Sequence, residues 1–247
     1  MGGDLDYTAA GVPVRDDLRE THRAFWTHVR SPGTWWSGHE RVAIAAEARG
    51  SQTCRLCRAR GEALSPSIVA GEHDTIGELG ANAVEAIHRV RMDPARLSRP
   101  WFDSIVATGL TVERYVELVG VVSLIAGVDS FARALGIPAF PLPEPIPGAP
   151  SHHRPASAKP GEAWVPMIAA EDATGSEADL YDGAVFVPNI LRALSVVPDE
   201  VRALKKAAAS HYVSFQEIPD PTVRRALDRS QMELVAARVS ALNECFY

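Results

Sequence analysis

Cys54 and Cys57, in the run Thr53-Cys54-Arg55-Leu56-Cys57, are the residues best placed by type and spacing to do chemistry. A thiolate attacks an electrophile, and a second thiol one helical turn away then closes a disulfide. Gly50 and Ser51 predict a break in the helix before the pair. Thr53 predicts a cap for a new helix that carries Cys54 in its first turn and Cys57 one turn on. The partial positive charge and free N–H groups of a helix N-terminus favour a thiolate, and Arg49, Arg55, Arg58 and Arg60 add positive charge nearby. The same spacing also suits half of a zinc site. No second Cys-x-x-Cys follows, so the other ligands would come from His39, His73 or an acid. Two inert packed thiols beside a solvated arginine face make a third reading.

Other residues offer partners to the pair, each with a plainer alternative. His73, in Gly71-Glu72-His73-Asp74, follows Cys57 by sixteen residues. It is a candidate proton relay, or a surface or capping histidine. Glu40 opens the helix that leads to the cysteines, as a proton acceptor or as a favourable first-turn acid. Ser230 and Glu233 have the spacing of a capping box. Cys245 follows Glu233 by twelve residues and is a third thiol, able to form a mixed disulfide. His152 and His153 lie in a polar, proline-rich stretch where solvation is the ordinary fate of such a pair. Trp26, Trp35, Trp36 and Trp101 read as core residues rather than the lining of a pocket.

The elements that must position these groups are helical. Thr111 to Gly136 is the strongest: Val112, Tyr115, Val116, Val119, Val122, Ile125, Phe131 and Leu135 recur at helical spacing. Thr111 caps its start, Gly136 and Pro138 stop it, and its centre is apolar on every side, so other helices must enclose it. Asp16 to Val29, Glu40 to Arg49, Ala81 to Met92 and a segment after Ser98 with Pro100 in its first turn precede it. Residues 138–163 form a linker, the richest part of the stretch from Ile137 to Ala163 with its eight prolines, where repeated X-Pro steps exclude helix. After it, Pro188 to Val197, Pro198 to Val213 and Ser230 to Glu244 read as helices, and no run alternates long enough for a sheet. The expectation is an all-α protein with one helical region over 1–137 and a second over 164–247.

Composition narrows the function classes. The 247 residues are 46% hydrophobic and 23% charged, which predicts a folded chain rather than a disordered one. A net charge of −6 argues against a dedicated nucleic-acid binder, and three cysteines against a disulfide-rich secreted scaffold. Met1 to Val14 lacks a basic residue ahead of an apolar core and does not read as a signal peptide. The longest apolar run, Leu118 to Val128, has eleven residues, where a bilayer needs about 20. No membrane association and a cytoplasmic location are expected.

Three segments carry a resemblance. ERVAIAAEARGSQTCRLC, LTVERYVELVGVVSLIAGVDSFARALGIP and MELVAARVSALNECFY together resemble the alkylhydroperoxidase D-like (carboxymuconolactone decarboxylase) superfamily. In the last segment Glu233, Arg238, Ser240, Asn243 and Cys245 match, in order, a helix that in the family leads to Cys-x-x-Cys and a following His; the sequence stops at Tyr247, before the second Cys, so a truncated motif and a degenerate one are both open readings. In the first segment two departures stand out. Glu40 precedes Cys54 by fourteen residues instead of twelve, and Gly61 stands where the family has its His. The resemblance implies a helical bundle that assembles into homo-oligomers, built either from two related units or from one unit with its halves in swapped order.

It also implies a function: a thiol-dependent peroxidase that reduces small-molecule hydroperoxides through Cys54 and Cys57 and is restored by an external dithiol reductant. Neither cofactor nor metal is needed for that cycle, since the sulfurs carry the electrons. Glu40 and His73 are the candidates for proton transfer, with Glu233 and Cys245 as a second, incomplete constellation. The alternatives are a carboxymuconolactone decarboxylase-like enzyme on the same fold, or a non-catalytic member acting as a scaffold or stabilised by zinc.

Overall fold

The computed structural model describes residues 5–184 and 187–245; their regular secondary structure is helical, with one isolated antiparallel bridge between Lys159 and Met167 in place of any sheet. The helices are α1 (Asp16–Arg30), α2 (Gly38–Gly50), α3 (Arg55–Glu62), α4 (Ala81–Met92), α5 (Arg99–Ala107), α6 (Val112–Ala134), α7 (Asn189–Arg192), α8 (Pro198–His211) and α9 (Arg229–Leu242). The all-α expectation holds for the described residues.

The long helix α6 is the axis. Thr111 accepts a hydrogen bond from the Arg114 N–H at its start. At its end the N–H of Gly136 donates to Arg133 and that of Ile137 to Ala132, with Gly136 at φ +71°. That pair of bonds is a Schellman stop, and the positive φ is why glycine occupies it. Leu118, Val121, Val122, Ile125 and Val128 are buried on α6 against α2, α4 and α8. α6 has the length and apolarity to cross a membrane, but its apolar surface is taken up by the protein's own core. That core is one cluster: it runs from Leu5 through Phe25, Ile44, Ile87 and α6 to Val196, Val197 and Val201, beyond the proline-rich segment.

The proline-rich segment lies extended across the body. Ile146 N–H donates to the Arg30 carbonyl at the end of α1, and Ser151 and His152 N–H donate to Gly33 and Thr34 in the turn after it. Phe140 is buried, the Trp26 indole donates to the Pro141 carbonyl, and His153 Nε2 lies 2.8 Å from Glu177. Trp26 and Trp36 are core residues as expected, while Trp164 is exposed.

Several local readings shift. α7 is a single turn instead of a helix reaching Val197, because Ser195 and Val197 bond back to Arg192 and Leu194 in tighter turns before Pro198 opens α8. The box that opens α9 is Asp228 with Gln231, not Ser230 with Glu233: Asp228 accepts from the Gln231 N–H at 2.9 Å and Gln231 accepts from the Asp228 N–H at 3.0 Å. An acid two residues earlier outcompetes the serine for the cap.

Charges are buried where α1, α2, α6 and α8 meet. Arg41 bonds Glu117 and, at 3.3 Å, Glu200; Glu200 also lies 2.9 Å from His28 Nε2, and Glu117 accepts from the Trp35 N–H at 2.6 Å. Arg41, Glu117 and Glu200 are at most 1% exposed. Burial raises the Glu117 pKa, against the pull of Arg41. Replacing Arg41 with Met removes the cation from buried Glu117 and leaves Glu200 with His28 alone, and chemical denaturation should show a loss of about 3–5 kcal/mol; an unchanged midpoint and slope would refute this account.

A buried histidine beside an exposed one predicts a pH dependence. The side chain of His22 is enclosed between the Tyr7 hydroxyl and His211, whose Nε2 is 2.7 Å from its own Nε2. Burial first, then the neighbouring His211, push the His22 pKa down to about 4. The unfolded chain therefore binds a proton below about pH 6.5 that the folded chain refuses until about pH 4, so stability falls as pH drops through that window. In His22→Gln the stability should fall less steeply between pH 7 and pH 4 than in the wild type. Parallel curves would remove His22 from the explanation.

Candidate functional site

The site forms where α2 ends and the chain turns twice. After Gly50 a 3-10 turn, Ser51–Thr53, leads to Cys54, which is extended (φ −62°, ψ 128°) and stands at the N-cap of α3. The cap expected of Thr53 does not form, since its hydroxyl donates back to the Gly50 carbonyl. Cys54 thus precedes the first turn of α3 and Cys57 sits within it. Capping comes from a distant loop. The Asp74 carboxylate accepts from the Arg55 N–H at 2.8 Å and from the Arg55 guanidinium at 2.6 Å. Gly71 lets that loop return closely: its φ is +154°, and a Cβ there would sit 3.2 Å from Leu56 Cδ1. The loop so pinned carries His73 over the cysteines.

A fourth group comes from α4. Glu85 and His88 are three residues apart there, so both face α3. His73 Nδ1 lies 3.5 Å from each of the two sulfurs, and His88 Nδ1 lies 3.2 Å from Cys57 Sγ. Each imidazole is held from behind. His73 Nε2–H donates to Glu85 at 2.7 Å and His88 Nε2–H donates to Glu47 at 2.9 Å. A carboxylate on the far nitrogen keeps the proton there and turns Nδ1 toward sulfur. Glu47, fully buried, also accepts from the Thr75 hydroxyl and the Ile76 N–H, which fastens the same loop to α2. Glu85 accepts in addition from the Trp101 indole and Arg60.

The two thiols are unequal. Burial opposes charge on Cys54, but the N–H groups of Cys57 and Asp74 and the His73 imidazole outweigh it and hold its pKa below the ordinary thiol range. Burial and then the adjacent Cys54 sulfur push Cys57 up to about 12. Burial also opposes charge on His73, yet Glu85 and Cys54 raise its pKa; burial lowers that of His88. Glu85 is held at about 2 despite its burial by His73, Trp101 and Arg60. The arginines expected to supply field are mostly spoken for: Arg49 makes a bidentate pair with Asp129, Arg55 pairs with Asp74 and Arg60 with Glu85.

Access is from the Cys57 side. Cys54 is 1% exposed, whereas Cys57 lines a cavity of about 20 Å³ with Arg60, His88, Arg89 and Arg96. That volume suits roughly one water-sized group. A larger, apolar cavity of about 350 Å³ lies between Leu180, Leu191 and Phe215 and includes neither thiol.

Cys54, Cys57 and His73 are therefore brought together, and the other candidates are elsewhere. Glu40 closes the capping box of α2 with Ser37 and pairs with Arg114 at 2.7 Å, about 15 Å along the helix from Gly50. Glu233 bonds Arg229 and the Tyr212 hydroxyl on the surface, and Cys245 is exposed beyond α9. His39 pairs with Glu78. Sequence reasoning missed His88, Glu47 and Glu85. The signal for two of them was present as Glu85-x-x-His88, one turn apart on a predicted helix. No family model, curated protein or solved structure matches this chain.

The burial order predicts a reactivity order. Alkylation of the native protein with iodoacetamide, followed by mass spectrometry, should label Cys245 first, Cys57 more slowly, and Cys54 only on unfolding. Labelling of Cys54 ahead of Cys57 would contradict the described enclosure.

Proposed function

We propose that this chain is a thiol-dependent peroxidase of the alkylhydroperoxidase D type, cycling Cys54 and Cys57 between dithiol and disulfide. The observation that carries the proposal is the line Glu47–His88–Cys57: a buried carboxylate, an imidazole and a thiol in hydrogen-bond series, with the sulfur at a small cavity. An imidazole whose far nitrogen is anchored by a carboxylate is built to take a thiol proton. His88 and Glu47 thereby fill the role left open by Gly61, and His73 serves the other sulfur.

The cycle follows from this placement. The Cys57 thiol, neutral at rest, gives its proton to His88 as its sulfur attacks the terminal oxygen of a hydroperoxide in the cavity. The O–O bond breaks; the alkoxide leaves as alcohol with that proton, and Cys57 becomes a sulfenic acid. Cys54, a thiolate beside His73, then attacks the Cys57 sulfur, and hydroxide leaves as water with a proton from His73. An external dithiol returns both residues to thiols. The cavity admits the terminal peroxide oxygen and leaves the organic body outside.

Consumption of cumene hydroperoxide with dithiothreitol, on chelator-treated protein, tests the proposal. Turnover should vanish in Cys54→Ser/Cys57→Ser and fall about 10²-fold or more in His88→Asn. Turnover that survives the double substitution would refute the cycle and favour decarboxylase-like chemistry on the same fold.

A further inference from the structure

We infer that Cys54, Cys57, His73 and His88 form a tetrahedral binding site for one zinc ion in the reduced protein, and that disulfide formation releases it. The first half stands on geometry alone; the second rests on the peroxidase reading.

The donor set is two sulfurs and two imidazole nitrogens, all within 4.8 Å of one another. Zinc–sulfur bonds of about 2.3 Å and zinc–nitrogen bonds of about 2.0–2.1 Å at tetrahedral angles put sulfur and nitrogen about 3.5 Å apart. Three of the four sulfur–nitrogen separations here are 3.5, 3.5 and 3.2 Å. Those three edges have the spacing of a zinc tetrahedron, and all four atoms, within 4.8 Å of one another, come from three separate segments: the turn and first turn of α3, the loop after it, and α4.

The surroundings match as well. Metal-bound imidazoles characteristically donate their second N–H to a carboxylate, which orients the ring and raises its basicity. Both histidines do so, to Glu85 and Glu47. Nδ1 of each ring is then the free electron pair, and it is Nδ1 that faces sulfur. The two imidazoles, each with its own carboxylate, complete a set of four donors with the two sulfurs. Two thiolates with two imidazoles select zinc over magnesium or calcium, which take oxygen donors. The site is closed, with four protein donors, so the ion would hold the segments together and keep both thiols deprotonated and guarded.

Oxidation and metal binding exclude each other on these atoms. The two thiolates give two electrons to a hydroperoxide and join as a disulfide; the O–O bond breaks, two protons from solvent complete an alcohol and a water, and the zinc ion leaves with its charge unchanged.

The test uses the full chain, reduced, stripped with a chelator and titrated with Co²⁺ as the spectroscopic probe, then with Zn²⁺. About one Co²⁺ per chain should bind with thiolate-to-cobalt charge transfer and the intense visible bands of tetrahedral coordination, and Zn²⁺ should displace it. His88→Asn and Glu47→Gln, which keep both thiols, should each weaken binding about 10-fold or more. Because a variant can fail by misfolding, the wild-type melting temperature is measured with and without chelator, and zinc should raise it in a concentration-dependent way. Absence of thiolate charge transfer, affinity unchanged in Cys54→Ser/Cys57→Ser, or no melting shift would each overturn the site. One equivalent of hydroperoxide should bleach the cobalt bands and release the metal, and retention of metal by disulfide-bonded protein would overturn the second half. Metal binding without peroxide turnover in the stripped protein would sink the peroxidase cycle and leave the zinc site standing. Turnover without metal binding would do the reverse.

Discussion

Arg41 cannot be buried alone, and the helical frame is arranged to avoid that. Its guanidinium lies between Glu117 of α6 and Glu200 of α8, with His28 of α1 on the far side of Glu200. Four helices meet at one charge centre because each supplies a group the others need. Small residues let them approach: a Cβ on Gly120 would stand 2.0 Å from Glu200 Oε2, and one on Gly33 would strike both Glu117 and Arg41. Removing one partner from such a centre costs far more than the intact centre contributes, because the cost is an unpaired charge in a low dielectric. The centre therefore specifies which helix faces meet, while the apolar shell of α6 supplies the bulk of the stabilisation.

The same helix that carries Arg41 carries Glu47 toward its other end. α2 is thus clamped by ion pairs along its length: Glu40 to Arg114, Arg41 to Glu117, and Arg49 to Asp129, all on α6 or its first turn. With α2 fixed against α6, Glu47 is a stationary anchor for His88 and for the loop through Thr75 and Ile76. The sulfur and nitrogen atoms converge because the carboxylates behind them are themselves held, Glu47 by Thr75 and Ile76 and Glu85 by Trp101 and Arg60. Precision in such a site resides in the groups that hold the ligating or reacting residues.

The helices were legible wherever the apolar repeat was long and its ends carried standard caps. Thr111, Gly136 and Ser98 bound α6 and α5 where their chemistry predicts. Reading failed where capping was contested or remote: Asp228 displaces Ser230, and in place of Thr53 the cap comes from Asp74, nineteen residues after the Arg55 N–H it accepts from. Half of the site was visible as Cys-x-x-Cys and His73. The rest was hidden because a glutamate and a histidine inside amphipathic helices look like ordinary residues until folding shows that they are buried together. Glu40 attracted attention for its position before the cysteines, but its carboxylate is spent on Ser37 and Arg114. Glu47, seven residues nearer, is the acid of α2 that reaches the site, through His88.

The two acids around Arg41 differ in when they are made. Glu117 lies 76 residues after Arg41 and Glu200 lies 159 residues after it, with the proline-rich strap between them. A ribosome that has just released α6 has produced a centre holding one cation and one anion, already matched in charge. The second anion arrives only with α8, and there it meets Arg41 and the His28 imidazole. The strap, bonded to the α1–α2 turn through Ile146, Ser151 and His152, delivers the later helix to a frame that does not have to wait for it.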